Sequence, residues 1–221
     1  MLLDLLLPRR CACCALPGAD VCETCLRALP RIRPPLCERC GAPTAWPVRR
    51  CRECTGRRIA FATARAAVRY EREARVLVAA WKQRALRGLA AFAGALLVET
   101  IARPWADAIT YIPADPDRRL ERGHQPAAAL AAALSEAWDL PMLTLLDRPR
   151  PGRPQRELGL ADRRRNVAGA FAACRSPPRR VALVDDVYTT GATASEAARC
   201  LLRAGARRVD VLTFARTVRR A

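Results

Sequence analysis

The sequence predicts an α/β protein, a parallel sheet flanked by helices, with a small cysteine-rich metal-binding segment at its N-terminal end. Residues 181–193 read Val-Ala-Leu-Val-Asp-Asp-Val-Tyr-Thr-Thr-Gly-Ala-Thr, an apolar run that ends in two carboxylates and a Thr/Gly turn. From residue 59 to residue 214, strand-like and helix-like segments alternate, as a parallel sheet requires. Nine of the eleven cysteines lie before residue 55, and eight of these form four Cys-x₂-Cys pairs.

The cysteine-rich head comes first along the chain. Its pairs are Cys11/Cys14, Cys22/Cys25, Cys37/Cys40 and Cys51/Cys54. That spacing lets two sulfurs of one tight turn reach a single tetrahedral metal, and two such turns close a structural Zn²⁺ site, so eight ligands make two sites. Cys40 is followed by Gly41, the residue a metal knuckle often needs after its second ligand, and Cys13 is spare. Sequential pairing of the turns keeps the connecting loops short; interleaved pairing uses the same ligands and stays open. Disulfides are the competing reading, but repeated Cys-x₂-Cys without an export signal speaks against them. Nothing around these pairs suggests the strand-to-helix dithiol of a redox enzyme. Large apolar side chains are few between residues 8 and 58, so metal is expected to organise this segment. The expected division is a double zinc-ribbon domain at 1–58 and an α/β domain at 59–221. Residues 2–7 are too short to span a membrane and run straight into Pro8-Arg9-Arg10 with no basic residue before them, so they do not read as a signal peptide. No other segment approaches a span, and a cytoplasmic location with reduced thiols is expected.

The elements of the second part follow in order. Residues 61–70 favour strands, 73–83 and 86–101 carry helical periodicity, and 108–112 form a strand that ends at Pro113. Helix is expected over 125–138, a short strand at 142–146, the motif strand at 180–184, and a last strand at 209–214 entered from a helix closed by Gly205. In 181–184 the run is apolar at every position, as in a strand buried on both faces, which places Asp185 and Asp186 at its carboxyl end. Ligands of open α/β sheets bind at that edge. Two carboxylates there can accept hydrogen bonds from a vicinal diol. The turn Thr189, Thr190, Gly191, Ala192 and Thr193 offers amides and hydroxyls at a helix N-terminus, where a phosphate is stabilised. An ordinary β-turn-α unit would have to explain each of these parts separately.

This run resembles the PRPP-binding signature of type I phosphoribosyltransferases across all thirteen residues. The resemblance implies a type I phosphoribosyltransferase fold, with Asp185 and Asp186 on the ribose hydroxyls as catalytic residues and Thr189–Thr193 on the 5-phosphate. Tyr188 is bulkier than the small or aliphatic residue expected there. A second stretch, Gln155, Leu158, Arg163 and Asn166 followed by Gly169-Ala170-Phe171, resembles a motif of the ComF family, whose members also carry a cysteine-rich zinc head. That family's loop after the Pro113 strand is matched by Arg118-Arg119-Leu120-Glu121-Arg122-Gly123, although its usual Gly-Phe-Asn-Gln is here Gly123-His124-Gln125-Pro126. The resemblance implies PRPP contacts for Arg163, on the pyrophosphate or anchoring a loop, and for Lys82, the only lysine.

Seven arginines between residues 148 and 165 face only Glu157 and Asp162. For Arg148, Arg150 and Arg153 a solvated surface is the expected environment, and His124, the only histidine, is expected to be exposed in its polar loop. The formal net charge of +18 falls to about +14 once eight thiolates hold two Zn²⁺. Such a surface favours anionic ligands of any kind and does not separate PRPP from DNA. Three functions remain in view. One is a Mg²⁺-dependent phosphoribosyltransferase that releases pyrophosphate from PRPP or uses another ribose phosphate. Another, implied by the ComF resemblance, is a competence and DNA-uptake accessory protein that binds single-stranded DNA or a helicase partner. The last is a PRPP sensor without turnover. Aromatic residues are few and do not interleave with the arginine clusters, which argues mildly against strand stacking.

Overall fold

The apolar run that precedes the acidic pair becomes an inner strand of a parallel sheet. The computed structural model describes residues 9–83, 86, 88–149 and 168–218. Its elements in chain order are α1 (Glu23–Ala28), β1 (Thr63–Arg69), α2 (Arg72–Gln83), α3 (Gly88–Thr100), β2 (Ala108–Tyr111), α4 (Pro116–Arg122), α5 (Pro126–Trp138), β3 (Leu146–Asp147), β4 (Ala172–Ala173), β5 (Arg180–Tyr188), α6 (Ala192–Arg203) and β6 (Arg208–Arg216). The main sheet has the order β1-β6-β5-β2 with every pair parallel.

Alternation along β5 sorts its side chains into two cores, as the pleat of a strand dictates. Ala182 and Val184 join Leu212 and Phe214 under α2, α3 and α5. Val181 and Leu183 join Val209 and Val211 under α6 and the second cysteine-rich segment. Small residues let α3 and α5 approach closely: a Cβ added at Gly94 would lie 2.9 Å from the Cβ of Ala133. Helices on both faces leave both rows of β5 dry, which is why the run contains no polar residue before Asp185.

The head straddles the edge of the sheet at β1. Ala12 and Leu29 of the first ribbon sit in the core under α2, whereas Cys37, Cys40, Ala42 and Cys54 of the second sit in the α6 core. Between them the chain runs antiparallel to β1, with Ile32 N–H on the Ala67 carbonyl at 2.9 Å and Arg69 N–H on the Pro30 carbonyl at 2.8 Å. The unpaired groups of an edge strand are thereby covered.

Three expectations need correction. The motif strand does not stop at Val184 but continues to Tyr188, because β6 offers pairing partners as far as Arg216. The predicted strand at 142–146 is split. Met142 makes a single parallel bridge to Ile109 at the sheet edge, and Leu146–Asp147 turns away to pair antiparallel with Ala172–Ala173. A short helix, α4, also follows Pro113 where a loop was expected; Asp115-Pro116 is its start signal.

Candidate functional site

Alternation on β5 points Asp186 to the same face as Ala182 and Val184, toward α2. The last turn of α2 carries Lys82, whose Nζ lies 2.7 Å from Asp186 Oδ2, with both side chains largely shielded from solvent. The structure therefore brings two of the residues singled out from the sequence into direct contact. His124 supports this turn. Its Nε2 lies 2.7 Å from the carbonyl oxygen of Trp81, one of the last carbonyls of the helix. His124 is thus partly buried against α2 and not exposed as expected, because the loop before α5 folds back over α2. Gln125 Oε1 accepts from Ala114 N–H at 3.3 Å, tying that loop to the end of β2.

Asp185 sits one residue back on the strand, next to a second charge. Its carboxylate accepts from the Asp186 amide at 2.9 Å. Burial pushes its pKa up and the neighbouring Asp186 carboxylate adds to this; Lys82, the Asp186 amide and Arg148 pull the other way, and the carboxyl is left at about 7. Arg148 is not solvated as expected. Its guanidinium is buried, pairs with Asp115 at 3.3 Å and lies over the Phe171 ring at 5.6 Å, because the β3–β4 pairing brings both chain segments together. Arg150, Arg153 and Arg163 lie outside the described residues.

A carboxyl held near 7 when folded and at 3.8 when free has a defined effect on stability. It favours the folded state while protonated, and that contribution is lost as pH rises through about 7. Asp185→Asn removes the loss, so the ligand-free variant is expected to melt several degrees higher than the natural chain at about pH 8, with the gap closing toward about pH 4. Thermal melts across this range test it; parallel profiles would contradict the assigned environment.

The turn after β5 leads into a helix through a glycine cap. Gly191 is the N-cap of α6 with φ +71°, in the left-handed region, and no acidic residue occupies the first turn. Thr190 is buried and its Oγ1 accepts from Ala192 N–H at 3.3 Å, while Thr189 is exposed. Ala192 and Thr193 lie in the first turn, whose amides have no partner within the helix. Beneath the turn lies Tyr188, 4 % exposed, edge-on to Phe61 and under the Arg216 guanidinium at 5.0 Å.

The cysteines settle the ribbon pairing. The Sγ atoms of Cys11, Cys14, Cys22 and Cys25 lie within 4.8 Å of one another, and so do those of Cys37, Cys40, Cys51 and Cys54. Pairing is sequential. Sulfur pairs such as Cys40–Cys51 at 3.5 Å and Cys37–Cys54 at 3.6 Å fit the edge of about 3.8 Å of a tetrahedral ZnS₄ centre, not the ~2.05 Å of a disulfide. All eleven thiols are free. Burial opposes ionisation of Cys11 and Cys37, yet backbone N–H bonds to each sulfur outweigh it and bring them to about 6 and about 7. Both groups fit structural zinc sites, in which the metal would neutralise the thiolates that the knuckles collect. Cys13 belongs to neither; its thiol points at the Glu73 carbonyl, and burial with the nearby Cys11 raises it to about 11.

Arg57, Glu53 and Arg216 join this arrangement without any local pattern that marks them in the sequence. Arg57 Nη2 donates to the Thr190 carbonyl. Arg216 donates to the Cys40 carbonyl and pairs with Glu53 at 2.8 Å.

Comparison with known proteins agrees with these features. Residues 2–55 match a family described as the double zinc ribbon domain. The chain is 31 % identical over 231 residues to the DNA utilization protein YhgH of Salmonella typhi, covering 97 % of this chain and all of that one. It is 38 % identical over 115 residues to competence protein F of Haemophilus influenzae, which spans half of each chain. Among solved structures, the glutamine PRPP amidotransferase from B. subtilis complexed with ADP and GMP matches with a TM-score of 0.40 and 26 % identity, over 56 % of this chain and a quarter of that one. No helix among the described residues is long and apolar enough to cross a membrane.

Proposed function

Because this chain belongs to the family of competence protein F and the DNA utilization protein YhgH, we propose that it is a competence-related protein that binds PRPP at the β5–α6 edge and transfers its phosphoribosyl group with release of pyrophosphate. The observation that carries this is the combination on one chain segment of the Asp185–Asp186 pair, held by Lys82, with the glycine-capped turn at the start of α6. In this reading the 5-phosphate rests on the amides and hydroxyls of residues 189–193, and the ribose hydroxyls donate to the two carboxylates. As the bond from C1 to the diphosphate oxygen breaks, positive charge develops on the ribose ring and the carboxylates oppose it. The electron pair of the broken bond leaves with pyrophosphate, and the acceptor's lone pair forms the new bond at C1. Mg²⁺ bound with the diphosphate would supply charge neutralisation of the leaving group. Lys82 balances the acidic pair in the free protein and is within reach of an incoming anion. The motif resemblance gives Arg163 a role on the pyrophosphate or as an anchor of its loop.

Calorimetric titration with PRPP and Mg²⁺ tests this. Affinity in the micromolar range is expected, weakened about tenfold or more in Asp185→Asn and Asp186→Asn, the scale of lost charge-assisted hydrogen bonds. Pyrophosphate release in the presence of candidate nucleobase or amine acceptors separates transfer from sensing. No heat with PRPP in the natural chain would end the proposal.

A second reading, single-stranded DNA binding, is favoured by one feature of the head. Trp46 is 68 % exposed, and Arg49, Arg50, Arg52 and Arg58 of the same ribbon segment are exposed as well. One exposed aromatic side chain thus lies close in sequence to exposed arginines, although aromatic residues remain few in the chain. Stacking of a base on Trp46 would be worth about 1–3 kcal/mol. Trp46→Ala is expected to weaken oligo-dT binding about tenfold at constant salt while leaving its salt slope unchanged, as read by fluorescence anisotropy. Equal affinity in the variant would remove Trp46 from the interface.

A further inference from the structure

We propose that the second ribbon is a positioning element for the turn at 189–193, with Arg57 as its contact, so that zinc at Cys37, Cys40, Cys51 and Cys54 sets the shape of the anion cradle. The functional consequence rests on the reading of that turn as a phosphate site; the mechanical coupling does not.

Arg57 hangs from the last knuckle of the ribbon. Its N–H donates to the Cys54 carbonyl at 3.3 Å and its Nη1 to the Glu53 carbonyl at 3.1 Å, while Nη2 reaches the Thr190 carbonyl. A trans peptide is planar, with its C=O and N–H pointing in opposite directions. Turning the Thr190 carbonyl toward Arg57 therefore turns the Gly191 N–H away from the ribbon. One guanidinium thus selects which side of the turn presents that amide.

The ribbon can act as a fixed support because it is clamped to the sheet at other points. Arg216, at the end of β6, holds the Cys40 carbonyl and the Glu53 carboxylate and lies over the Tyr188 ring beneath the turn. Just past the ribbon, the Ala60 amide donates to Ser195 Oγ in the first turn of α6 at 3.0 Å. At Gly41, directly after a zinc ligand, an added Cβ would lie 2.3 Å from the Ala64 carbonyl of β1, so the knuckle touches the strand backbone. The first ribbon has a different seat. Ala12 and Leu29 pack in the core under α2, on the opposite face of the sheet.

The coupling is tested in the full-length, zinc-loaded chain by hydrogen exchange, which reports the turn with or without ligand. Arg57→Ala is expected to speed amide exchange in 189–193 about tenfold while leaving 209–215 unchanged, with Arg57→Lys in between and two zinc ions retained in both variants. PRPP affinity should fall about tenfold in Arg57→Ala. Emptying one zinc site at a time gives an independent measurement: Cys51→Ser should loosen 189–193, and Cys22→Ser should not. Unchanged exchange in Arg57→Ala, or equal loosening by Cys22→Ser and Cys51→Ser, would overturn the proposal. If exchange responds as expected but the natural chain gives no heat with PRPP, the support role stands and the ligand reading falls.

Discussion

Replacing Arg216 with alanine is expected to destabilise the protein by about 3–5 kcal/mol, because the part-buried Glu53 carboxylate and the Cys40 carbonyl both lose a charged donor and the buried space it filled is emptied. Arg216 is 1 % exposed and spends its guanidinium on the Glu53 carboxylate, the Cys40 carbonyl and the face of Tyr188. Few residues join so many separate parts of the chain: the end of β6, both knuckles of the second ribbon and the ring under the turn. A loss of this size corresponds to a drop in melting temperature of roughly 6–20 °C. Lysine at this position keeps the charge but cannot serve two acceptors in the guanidinium plane, so Arg216→Lys should fall between the two. Replacing both charges, Arg216→Met with Glu53→Met, should recover part of the loss, since the two charges are then removed together. Denaturation of the single and double variants measures the coupling; an additive pair of effects would show that the ion pair contributes nothing beyond its packing.

Local signals and long-range contacts were legible to different degrees. The β5–α6 motif and the zinc ligands are written in consecutive residues, so strand, acidic pair, turn and knuckles could all be placed from spacing alone. Short loops favour sequential ribbon pairing but leave the interleaved one open, and the sulfur positions decide for the sequential one. Arg148 is different. In the sequence it is one of seven arginines in a basic stretch, and only the β3–β4 pairing, which joins residues 146–147 to 172–173, buries it beside Asp115 and Phe171. Arg57 and Arg216 meet partners 133 and 163 residues away, and no periodicity encodes such pairs. The extension of β5 to Tyr188 was hidden for a related reason. Two adjacent aspartates read as a strand end, yet Asp185 and Tyr188 are held in the sheet by partners in β6. Burial of the acidic pair inside a strand, instead of beyond it, is what raises the Asp185 carboxyl.

Gly191→Ala is expected to lower phosphate-ligand affinity about a hundredfold, the scale on which small misplacements of a binding element act. Two separate costs meet at this residue. The backbone sits at φ +71°, where a residue with a Cβ is strained by about 1–2 kcal/mol. The added Cβ would also lie 2.3 Å from Tyr188 Oη, 2.4 Å from Cζ and 2.7 Å from Cε2. The ring cannot easily yield, because Phe61 meets it edge-on and Arg216 covers its face. The turn must move instead, and with it the amides that the proposed function assigns to the phosphate. Tyr188 is bulkier than the motif ordinarily has at this position, so in this chain the tyrosine itself makes the glycine indispensable on steric as well as conformational grounds. The two costs separate experimentally. Adding Tyr188→Leu to Gly191→Ala removes the clash but not the strain, so the double variant should regain part of the lost affinity. If Gly191→Ala binds PRPP as tightly as the natural chain, the turn is not the phosphate cradle and the ligand must be held elsewhere on the sheet edge.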